Sequence, residues 1–373
     1  MCLKLVFICG SLEPGRDGVG DYVACIAREL TEFDYKIAIV ALNDRHIKEQ
    51  IVDFGQIPLM RIPAHLPESE RFAIAKAWVD DIDPDIISIQ YVAYSFQKKG
   101  LPFTAHKRLK RITLNRVVHV MFHELWLDSP KNFKQKVVAV CQKFLIKRTA
   151  SVLKPSVINV SILFNMTRLK LIGIKSRVLP IFGNITKAKG DSIEFRKKII
   201  LPTMEKGLIK ILYFGSAPRD IFLQQIVEGL LKFYGIHKGK FQLIVACGIN
   251  GHKDNFLKQV RLAFNSDIQV VDVGFLSVKD ISYLMNTCDA GIGRAEPHLL
   301  GKSGSAIAML EHGMSIWLPK MHEGQVAEKG FRSELVFSDL HSAINNQHKP
   351  DYLSLIPEVV NDFRLQFNSI NAK

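Results

Sequence analysis

The sequence predicts an α/β protein made of two doubly wound domains. Strand-like and helix-like segments alternate along most of its 373 residues, the order expected when helices connect parallel strands. The predicted strands are short apolar runs without polar alternation, a pattern typical of parallel strands buried on both faces. The length corresponds to two domains of ordinary size.

The first half of the chain contains six predicted strands with helices between them. The strands are Leu3–Cys9, Lys36–Leu42, Ile86–Tyr91, Val117–Phe122, Val157–Ile162 and Val178–Ile181. The helices are Tyr22–Leu30, Phe72–Asp80 and Phe133–Thr149. We expect these elements to form an N-terminal domain over residues 1–187, followed by a polar linker over 188–207.

The second half repeats the pattern and predicts a C-terminal domain over residues 208–351. Its strands are Ile209–Phe214, Phe241–Ala246, Ile268–Val273, Ala290–Ile292 and Ser315–Leu318. Its helices are Ile221–Tyr234, Asn255–Phe264, Val278–Asn286 and Ser305–His312. Residues 352–373 predict a last helix that packs back on the first domain. Since ligands of such sheets bind beyond the carboxyl ends of the strands, we expect the site in a cleft between the two domains.

Composition excludes several classes of protein. A hydrophobic content of 47% is too high for a disordered chain. The six cysteines form no CxxC pair, which argues against zinc sites and disulfides. No apolar run approaches the ~20 residues of a membrane span, and the N-terminus reads as a strand and not as a signal peptide. We therefore expect a cytoplasmic protein.

The positive charge is concentrated in one region. The net charge is +14, yet residues 98–177 alone carry 18 Lys or Arg against two acids. A basic face of this kind favours an anionic partner. We expect an anionic membrane surface, with peripheral binding at the inner face, and not nucleic acid; a solvated lysine-rich surface is the alternative.

A glycine loop follows the first strand. Gly15, Gly18 and Gly20 let the backbone turn and let a ligand approach closely, and the next helix end attracts anions. The pattern predicts a phosphate site, with Arg16 and Asp17 on the acceptor side and Asp21 as the helix cap; a ligand-free turn is the alternative. The glycine order is not GxGxxG, and Asn43-Asp44 is out of register with the usual acid, which disfavours NAD.

A polar group follows the strand that ends at Phe122. His123 and Glu124 stand at the carboxyl end of this strand, where sites are built, and Trp126 offers a ring for stacking on a sugar. A histidine here can bond a hydroxyl or move a proton. The alternatives are a histidine bonded to a loop carbonyl and a tryptophan in the core.

A second strand–loop–helix segment runs from Gly291 to Ser305. Lys302 supplies a charge, while Ser303, Gly304 and Ser305 supply hydroxyl and backbone donors at a helix start. These groups can hold a diphosphate without a metal; a capped helix beside a solvated lysine is the alternative. The segment lacks the upstream glycine of a P-loop. The DxD patterns in Asp81–Asp85 precede a strand, at its amino end, and predict a proline turn and not a metal site.

These motifs resemble those of the GT-B glycosyltransferases, and within them the large retaining "family 4-like" group. The resemblance rests on the loop from Gly10 to Tyr22, on His-Glu-Leu-Trp from His123, and on the segment from Gly274 to Gly313. It implies two Rossmann-like domains facing each other across a cleft. It also implies an acceptor bound mainly by the first domain, a nucleotide-sugar bound by the second, and retention of configuration.

The resemblance also implies roles for individual residues. Gly18 and Gly20 match the loop near the donor phosphates, and His123 matches the histidine that contacts the donor sugar. Lys302, Ser303 and Gly304 match the diphosphate grip, where Ser305, Arg219 and Arg294 are further candidates. Glu296 is the acid nearest to the first position of the family's Glu-x7-Glu motif, whose register here falls on Leu300 and Ala308.

The function expected from these observations is sugar transfer from a nucleotide-diphosphate sugar to a glycan or lipid-linked acceptor, in cell-surface polysaccharide or glycoconjugate synthesis. We expect His123 and Glu296 to be the catalytic residues and expect no metal or other cofactor. The alternatives are a nucleotide-sugar epimerase or an NAD enzyme, and a non-catalytic protein that binds a nucleotide-sugar or an anionic polymer.

Overall fold

The protein divides into two compact units. A computed structural model describes residues 2–188, 208–237, 241–248, 251–265, 267–322, 325 and 330–368. Unit 1 comprises residues 1–180 and 356–373, and unit 2 comprises residues 181–355. Most of the predicted linker, residues 189–207, lies outside the described residues.

Unit 1 contains an eight-stranded sheet. Its strands are β1 Leu3–Cys9, β2 Tyr35–Asp44, β3 Ile51–Asp53, β4 Leu59–Pro63, β5 Ile86–Tyr91, β6 Val117–Phe122, β7 Val157–Val160 and β8 Arg177–Val178. The spatial order is β3-β4-β2-β1-β5-β6-β7-β8, and all neighbours are parallel except the β3–β4 pair. Its first six helices are α1 Gly18–Leu30, α2 Glu68–Ile82, α3 Ala93–Phe96, α4 Ala105–Ile112, α5 Phe133–Leu153 and α6 Leu163–Lys170.

Unit 2 contains a six-stranded parallel sheet. Its strands are β9 Ile209–Phe214, β10 Phe241–Ala246, β11 Gln269–Asp272, β12 Ala290–Ile292, β13 Ile316–Trp317 and β14 Val336–Phe337. Its helices are α7 Asp220–His237, α8 Gly251–Phe264, α9 Val278–Thr287, α10 Gly304–Glu311 and α11 Leu340–Asn345. The spatial order is β11-β10-β9-β12-β13-β14.

Each sheet reverses its winding beside its first strand. In unit 1 the reversal lies between β1 and β5, and in unit 2 it lies between β9 and β12. The carboxyl edge at such a reversal is where open α/β sheets bind ligands. Both glycine-bearing loops of the sequence leave a strand that borders its reversal. The order of strands therefore places the predicted loops at two such edges.

The last helix, α12 Ile356–Asn368, belongs to unit 1. It packs against α1, and the ring of Phe363 lies 5.9 Å from that of Phe7 on β1. Phe363 and Phe367 are both buried. The apolar face of α12 thus covers the side of the sheet that also holds α1.

One buried acid joins the first and last segments of unit 2. Glu311 at the end of α10 accepts hydrogen bonds from the backbone N–H groups of Gly183 (3.2 Å) and Leu355 (2.8 Å). Residues 181–188 belong to unit 2, and α12 begins at Ile356 and not at Tyr352. Strands β3 and β4, which sequence reasoning missed, extend the edge of the first sheet. In the described part of the chain, no helix is both long and apolar enough to cross a membrane.

Candidate functional site

Asp17 caps α1. Its Oδ1 accepts hydrogen bonds from the backbone N–H groups of Val19 (3.1 Å) and Gly20 (2.9 Å). The expectation that Asp21 is the cap is wrong, because Asp21 lies in the first helical turn and accepts from Gly15 N–H at 3.0 Å. Burial raises the pKa of Asp21. The anion position at this helix end is therefore occupied by the chain's own carboxylate.

The glycines of the first loop serve different purposes. A Cβ at Gly20 would lie 2.4 Å from the carbonyl oxygen of Ser11, so Gly20 lets α1 approach the turn after β1. Gly15 has a φ of +69°, a conformation that favours glycine. A Cβ at Gly18 would meet nothing within 4 Å in the described part of the chain. Arg16 is exposed. Local backbone geometry or packing therefore explains why two of the three positions, Gly15 and Gly20, are glycine.

A buried carboxylate that sequence reasoning did not assign secures the same loop. Asp44, at the end of β2, accepts from Arg61 Nε (2.7 Å), Leu12 N–H (3.1 Å) and His46 N–H (3.0 Å). Arg61 also bonds Glu13 Oε2 at 2.7 Å. Burial alone would raise the pKa of Asp44, but these bonds lower it. The position of Asp44 at the end of the second strand was the one sequence signal for this role. Its carboxylate oxygens hold the loop that follows β1.

His123 begins a chain of buried side-chain hydrogen bonds across the first sheet. Its Nε2 lies 2.8 Å from Gln90 Oε1, and Gln90 Nε2 donates to Ser88 Oγ at 2.7 Å. Ser88 Oγ lies 2.8 Å from His119 Nδ1, and His119 Nε2 lies 2.8 Å from Asn159 Oδ1. All five side chains are buried. The chain crosses β5, β6 and β7.

A backbone carbonyl sets the direction of this chain. Asn159 Nδ2 donates to the carbonyl oxygen of Arg177 (3.3 Å), which can only accept. Asn159 Oδ1 must therefore accept from His119 Nε2–H, and each earlier member must donate onward in turn. His123 consequently donates through Nε2–H, and its Nδ1 carries the lone pair when the ring is neutral. Burial lowers the pKa of His119 to about 4, which keeps it neutral at pH 7.

The rings around this network hold it in place. Tyr22 of α1 lies edge-on to His123, with ring centroids 5.3 Å apart. Phe363 and Phe367 of α12 pack edge-on against His119 at 5.2 and 5.7 Å. Helix α1 thus packs against His123, and α12 packs against His119 at the other end of the network. Sequence reasoning found His123 but not its partners, although the alternation of Ser88 with Gln90 and of His119 with His123 places both pairs on one face.

Trp126 is bracketed by cations. The guanidinium of Arg168 lies 4.4 Å from its ring centroid, and Lys143 Nζ lies 5.6 Å from it. Arg168 also donates to the carbonyl oxygen of Trp126 at 2.9 Å. A sugar that stacks on this ring would have to share it with Arg168. Glu124 is exposed beside it.

The second loop lies at the reversal in unit 2. Ser303 caps α10, and its Oγ lies 3.4 Å from Ala306 N–H and 3.3 Å from Ser305 Oγ. Gly215, directly after β9, has a φ of +121°, and a Cβ there would lie 3.2 Å from Ser305 Oγ. The loop after β9 and the start of α10 therefore meet. A Cβ at Gly304 would contact none of the described residues within 4 Å.

The charged residues proposed for the second site differ in their burial. Lys302 is half-buried at the end of a 3₁₀ turn over Pro297–Lys302, while Arg294 and Arg219 are exposed. Glu296 starts that turn, and its carboxylate accepts from Lys320 Nζ at 2.9 Å.

Glu311, the other acid near α10, is fully buried. Burial raises its pKa to about 7. Its two backbone hydrogen bonds hold the segments at Gly183 and Leu355, so the structure assigns it to the architecture of unit 2.

The described residues contain no group of three or more His, Cys, Asp or Glu side chains that could hold a metal ion. That the protein needs no metal stays a prediction.

Comparison with known proteins gives matches among solved structures. No family model matches the sequence, and no curated protein matches it. The fold is similar to sucrose-phosphate synthase from Thermosynechococcus elongatus, with a TM-score of 0.61, 13% identity, and coverage of 85% of this chain and 81% of that one. It is similar to HepE from Anabaena in complex with UDP and glucose, with a TM-score of 0.60, 12% identity, and coverage of 98% and 100%.

The chain has the GT-B fold. The same fold is shared by UDP-GlcNAc 2-epimerase from Neisseria meningitidis bound to UDP-GlcNAc, with a TM-score of 0.52, 12% identity, and coverage of 97% and 91%. At these identities the likeness establishes the fold alone. The expected α/β class and the resemblance to GT-B proteins are confirmed. Membership of the family 4-like group stays a prediction, as does the assignment of each site residue.

Proposed function

We propose that this GT-B protein is a metal-independent glycosyltransferase, which moves a sugar from a nucleotide-diphosphate sugar to a glycan or lipid-linked acceptor with retention of configuration. The observation that carries the proposal is the open start of α10 at the reversal of the second sheet, where Gly215, Gly304 and Ser305 meet. The proposed setting is cytoplasmic synthesis of a cell-surface polysaccharide or glycoconjugate.

The groups around α10 suit a diphosphate leaving group. The helix start offers backbone donors and a partial positive charge, and Lys302 adds an ammonium group directly before it. Gly304 leaves room for phosphate oxygens against the backbone. Arg219 and Arg294, both exposed, are further cations for the nucleotide. Charge that develops on the diphosphate is thereby stabilised, which is the largest contribution expected in such a reaction.

The transfer needs no carboxylate nucleophile in this proposal. The bond between the sugar's anomeric carbon and the diphosphate oxygen breaks, and the acceptor oxygen forms its bond on the same face. The acceptor's hydroxyl proton passes to the departing diphosphate. Glu296 lies in the second loop, and an ion pair with Lys320 holds its carboxylate in place.

His123 orients the transferred sugar in this proposal. The hydrogen-bond chain to Gln90 and His119 fixes the orientation and the Nε2–H tautomer of the His123 imidazole, which in this proposal packs against the transferred sugar. Gln90→Leu should therefore lower kcat about tenfold with a smaller change in KM. It should also disturb the imidazole ¹⁵N shifts that report the Nε2–H tautomer. A loss of stability with unchanged ¹⁵N shifts and unchanged kcat would assign Gln90 a structural role only.

A second candidate, a nucleotide-sugar epimerase, is favoured by the Neisseria epimerase, which shares the fold. A thermal-shift screen against UDP, GDP and ADP and their sugars identifies the nucleotide, because a ligand of the native state raises its apparent stability. Incubation with the matching sugar nucleotide then separates the candidates. A transferase releases nucleoside diphosphate with an acceptor present, an epimerase returns an isomeric sugar nucleotide without one, and a binding protein does neither.

A further inference from the structure

Helix α5 of unit 1 exposes an apolar stripe. Phe133, Val137, Val140 and Phe144 have exposed fractions of 82%, 46%, 68% and 60%. At 3.6 residues per turn, these four positions fall within an arc of about 60°. The opposite side of α5 is buried at Ala139, Gln142, Leu145, Ile146, Thr149 and Leu153. The helix is therefore apolar on two sides, and only one of them faces the core.

Cations flank this stripe along its whole length. Helix α5 contains five basic residues and not one acid, and all five are exposed: Lys134, Lys136, Lys143, Lys147 and Arg148. The same helical spacing puts Lys136, Lys143 and Lys147 on one flank of the stripe and Lys134 and Arg148 on the other. The surrounding residues 98–177 carry the whole positive excess of the chain.

We infer that the exposed face of α5 binds the surface of an anionic lipid bilayer, with the apolar stripe inserted among the acyl chains and the cations at the head groups. Helices that lie in a membrane interface combine an apolar stripe with flanking Lys and Arg. The 21 residues of α5 would lie in the plane of the membrane and not across it. The apolar stripe favours lipid over nucleic acid, because the phosphate backbone of a duplex would leave the stripe unburied and Val137 and Val140 offer no ring on which an unpaired base could stack.

Vesicle co-sedimentation tests this contact with the intact protein. Vesicles of phosphatidylglycerol with phosphatidylcholine should bind the protein at low salt, and vesicles of phosphatidylcholine alone should bind it far more weakly. High salt should weaken the first interaction, since screening shortens the reach of the cations.

Two sets of substitutions separate the contributions of stripe and charge. Replacing Phe133, Val140 and Phe144 by Ser should lower the affinity for anionic vesicles at least tenfold, as the apolar contact is lost. Replacing Lys134, Lys136 and Lys147 by Gln should lower it about a hundredfold and remove most of its salt dependence. These side chains are exposed, so thermal unfolding of both variants should match that of the wild type.

A matched control places three serines on unit 2. Ile221, Leu262 and Phe275 are exposed to 63%, 63% and 70%, and their replacement by Ser should leave vesicle binding unchanged. Three results would overturn the proposal: no binding to anionic vesicles at low salt, equal losses in the stripe variant and this control, or a lipid-free dimer that the stripe variant abolishes. Tighter binding to a DNA oligonucleotide than to vesicles would also overturn it.

The membrane contact and the sugar transfer are tested separately. The proposed function places the nucleotide on unit 2 residues, so the α5 stripe variant should bind the nucleotide as the wild type does. Failure of vesicle binding would leave the transferase proposal intact, and failure of turnover would leave the membrane contact intact.

Discussion

The two glycine loops look alike in sequence but differ in electrostatics. Each follows a strand at the reversal of its sheet and leads into a helix. In unit 1 the helix start is filled by the carboxylate of Asp17, which accepts from Val19 and Gly20. In unit 2 the helix start is capped by the neutral hydroxyl of Ser303 and preceded by Lys302. The start of α10 is therefore capped without a negative charge, whereas an anion at the start of α1 would have to displace Asp17.

One glycine from each loop, Gly20 and Gly304, differs in the same sense, although Gly18 of the first loop is as open as Gly304. At Gly20, the position that a Cβ would take is occupied by the carbonyl oxygen of Ser11, so this glycine allows α1 to pack closely. Gly304 has open space around the position of a Cβ among the described residues, so it leaves a ligand room. A glycine in a strand–loop–helix segment therefore indicates close approach, but only the neighbouring atoms show whether the approach is by the chain or by a ligand.

The largest expected effect is at Lys302. Lys302→Ala should lower turnover with the sugar nucleotide about a hundredfold or more, because a cation that stabilises the leaving diphosphate is lost. Steady-state release of nucleoside diphosphate measures it. Lys258→Ala on the exposed surface of α8 makes the same change of charge in unit 2 and should leave turnover unchanged. Equal rates for the two variants would contradict the assignment.

The glycine pair provides the next effect. Gly20→Ala should lower the free energy of unfolding by about 1–3 kcal/mol, because the new methyl group overlaps the Ser11 carbonyl. Gly304→Ala should leave it within about 0.5 kcal/mol and weaken nucleotide binding. Calorimetric unfolding and isothermal titration measure the two. The comparison fails if Gly304→Ala destabilises the free protein as strongly as Gly20→Ala.

The buried carboxylates extend the comparison to pH. Burial raises the pKa of Glu311 from 4.5 to about 7, so the folded state holds a proton that the unfolded state has released. This contribution to stability is present below pH 4.5 and is lost as the pH rises through about 7. It amounts to about 3 kcal/mol. Glu311→Gln should flatten the pH dependence of thermal unfolding in that window, and an unchanged pH profile would contradict it.

The smallest expected effect concerns the helix caps. Asp17→Ala should lower the free energy of unfolding by about 1 kcal/mol, because two N–H groups of α1 lose their acceptor. Ser303→Ala should lower it by less, since the Ser303 Oγ lies 3.4 Å from its donor. Asp17→Asn retains an acceptor and serves as the control. Denaturant unfolding of the three variants gives the order, and the reverse order would contradict the contrast between the loops.

Much of the fold was predictable from local patterns. Strands β1, β5, β6, β9, β10 and β12 have the bounds that their apolar runs predict. Helices α1, α2, α7 and α8 begin one to four residues earlier than predicted, because most of the residues before the predicted starts are glycine or polar. Strand β3 was missed because it is a short edge strand and Ile51–Asp53 is exposed throughout. Strand β4, which lies between β3 and β2, was also missed.

Less of the candidate site was predictable. Lys302 and Ser303 could be named because residue type and spacing describe a helix start. The hydrogen-bond chain behind His123 joins residues from β5 to β8, and Asp44 reaches Leu12 and Arg61 from another strand. Because such partners are distant in sequence, no local pattern predicts that they are in contact.

The sequence alone determined the α/β class, the two glycine loops and the concentration of positive charge in residues 98–177. These depend on hydrophobic periodicity and on composition, which are local properties of the chain. Tertiary structure alone decided that Asp17 satisfies the first helix start, that Glu311 is buried and that α5 exposes a second apolar side. Each of those depends on which distant atoms fill the space around a side chain, and only the packed fold specifies that.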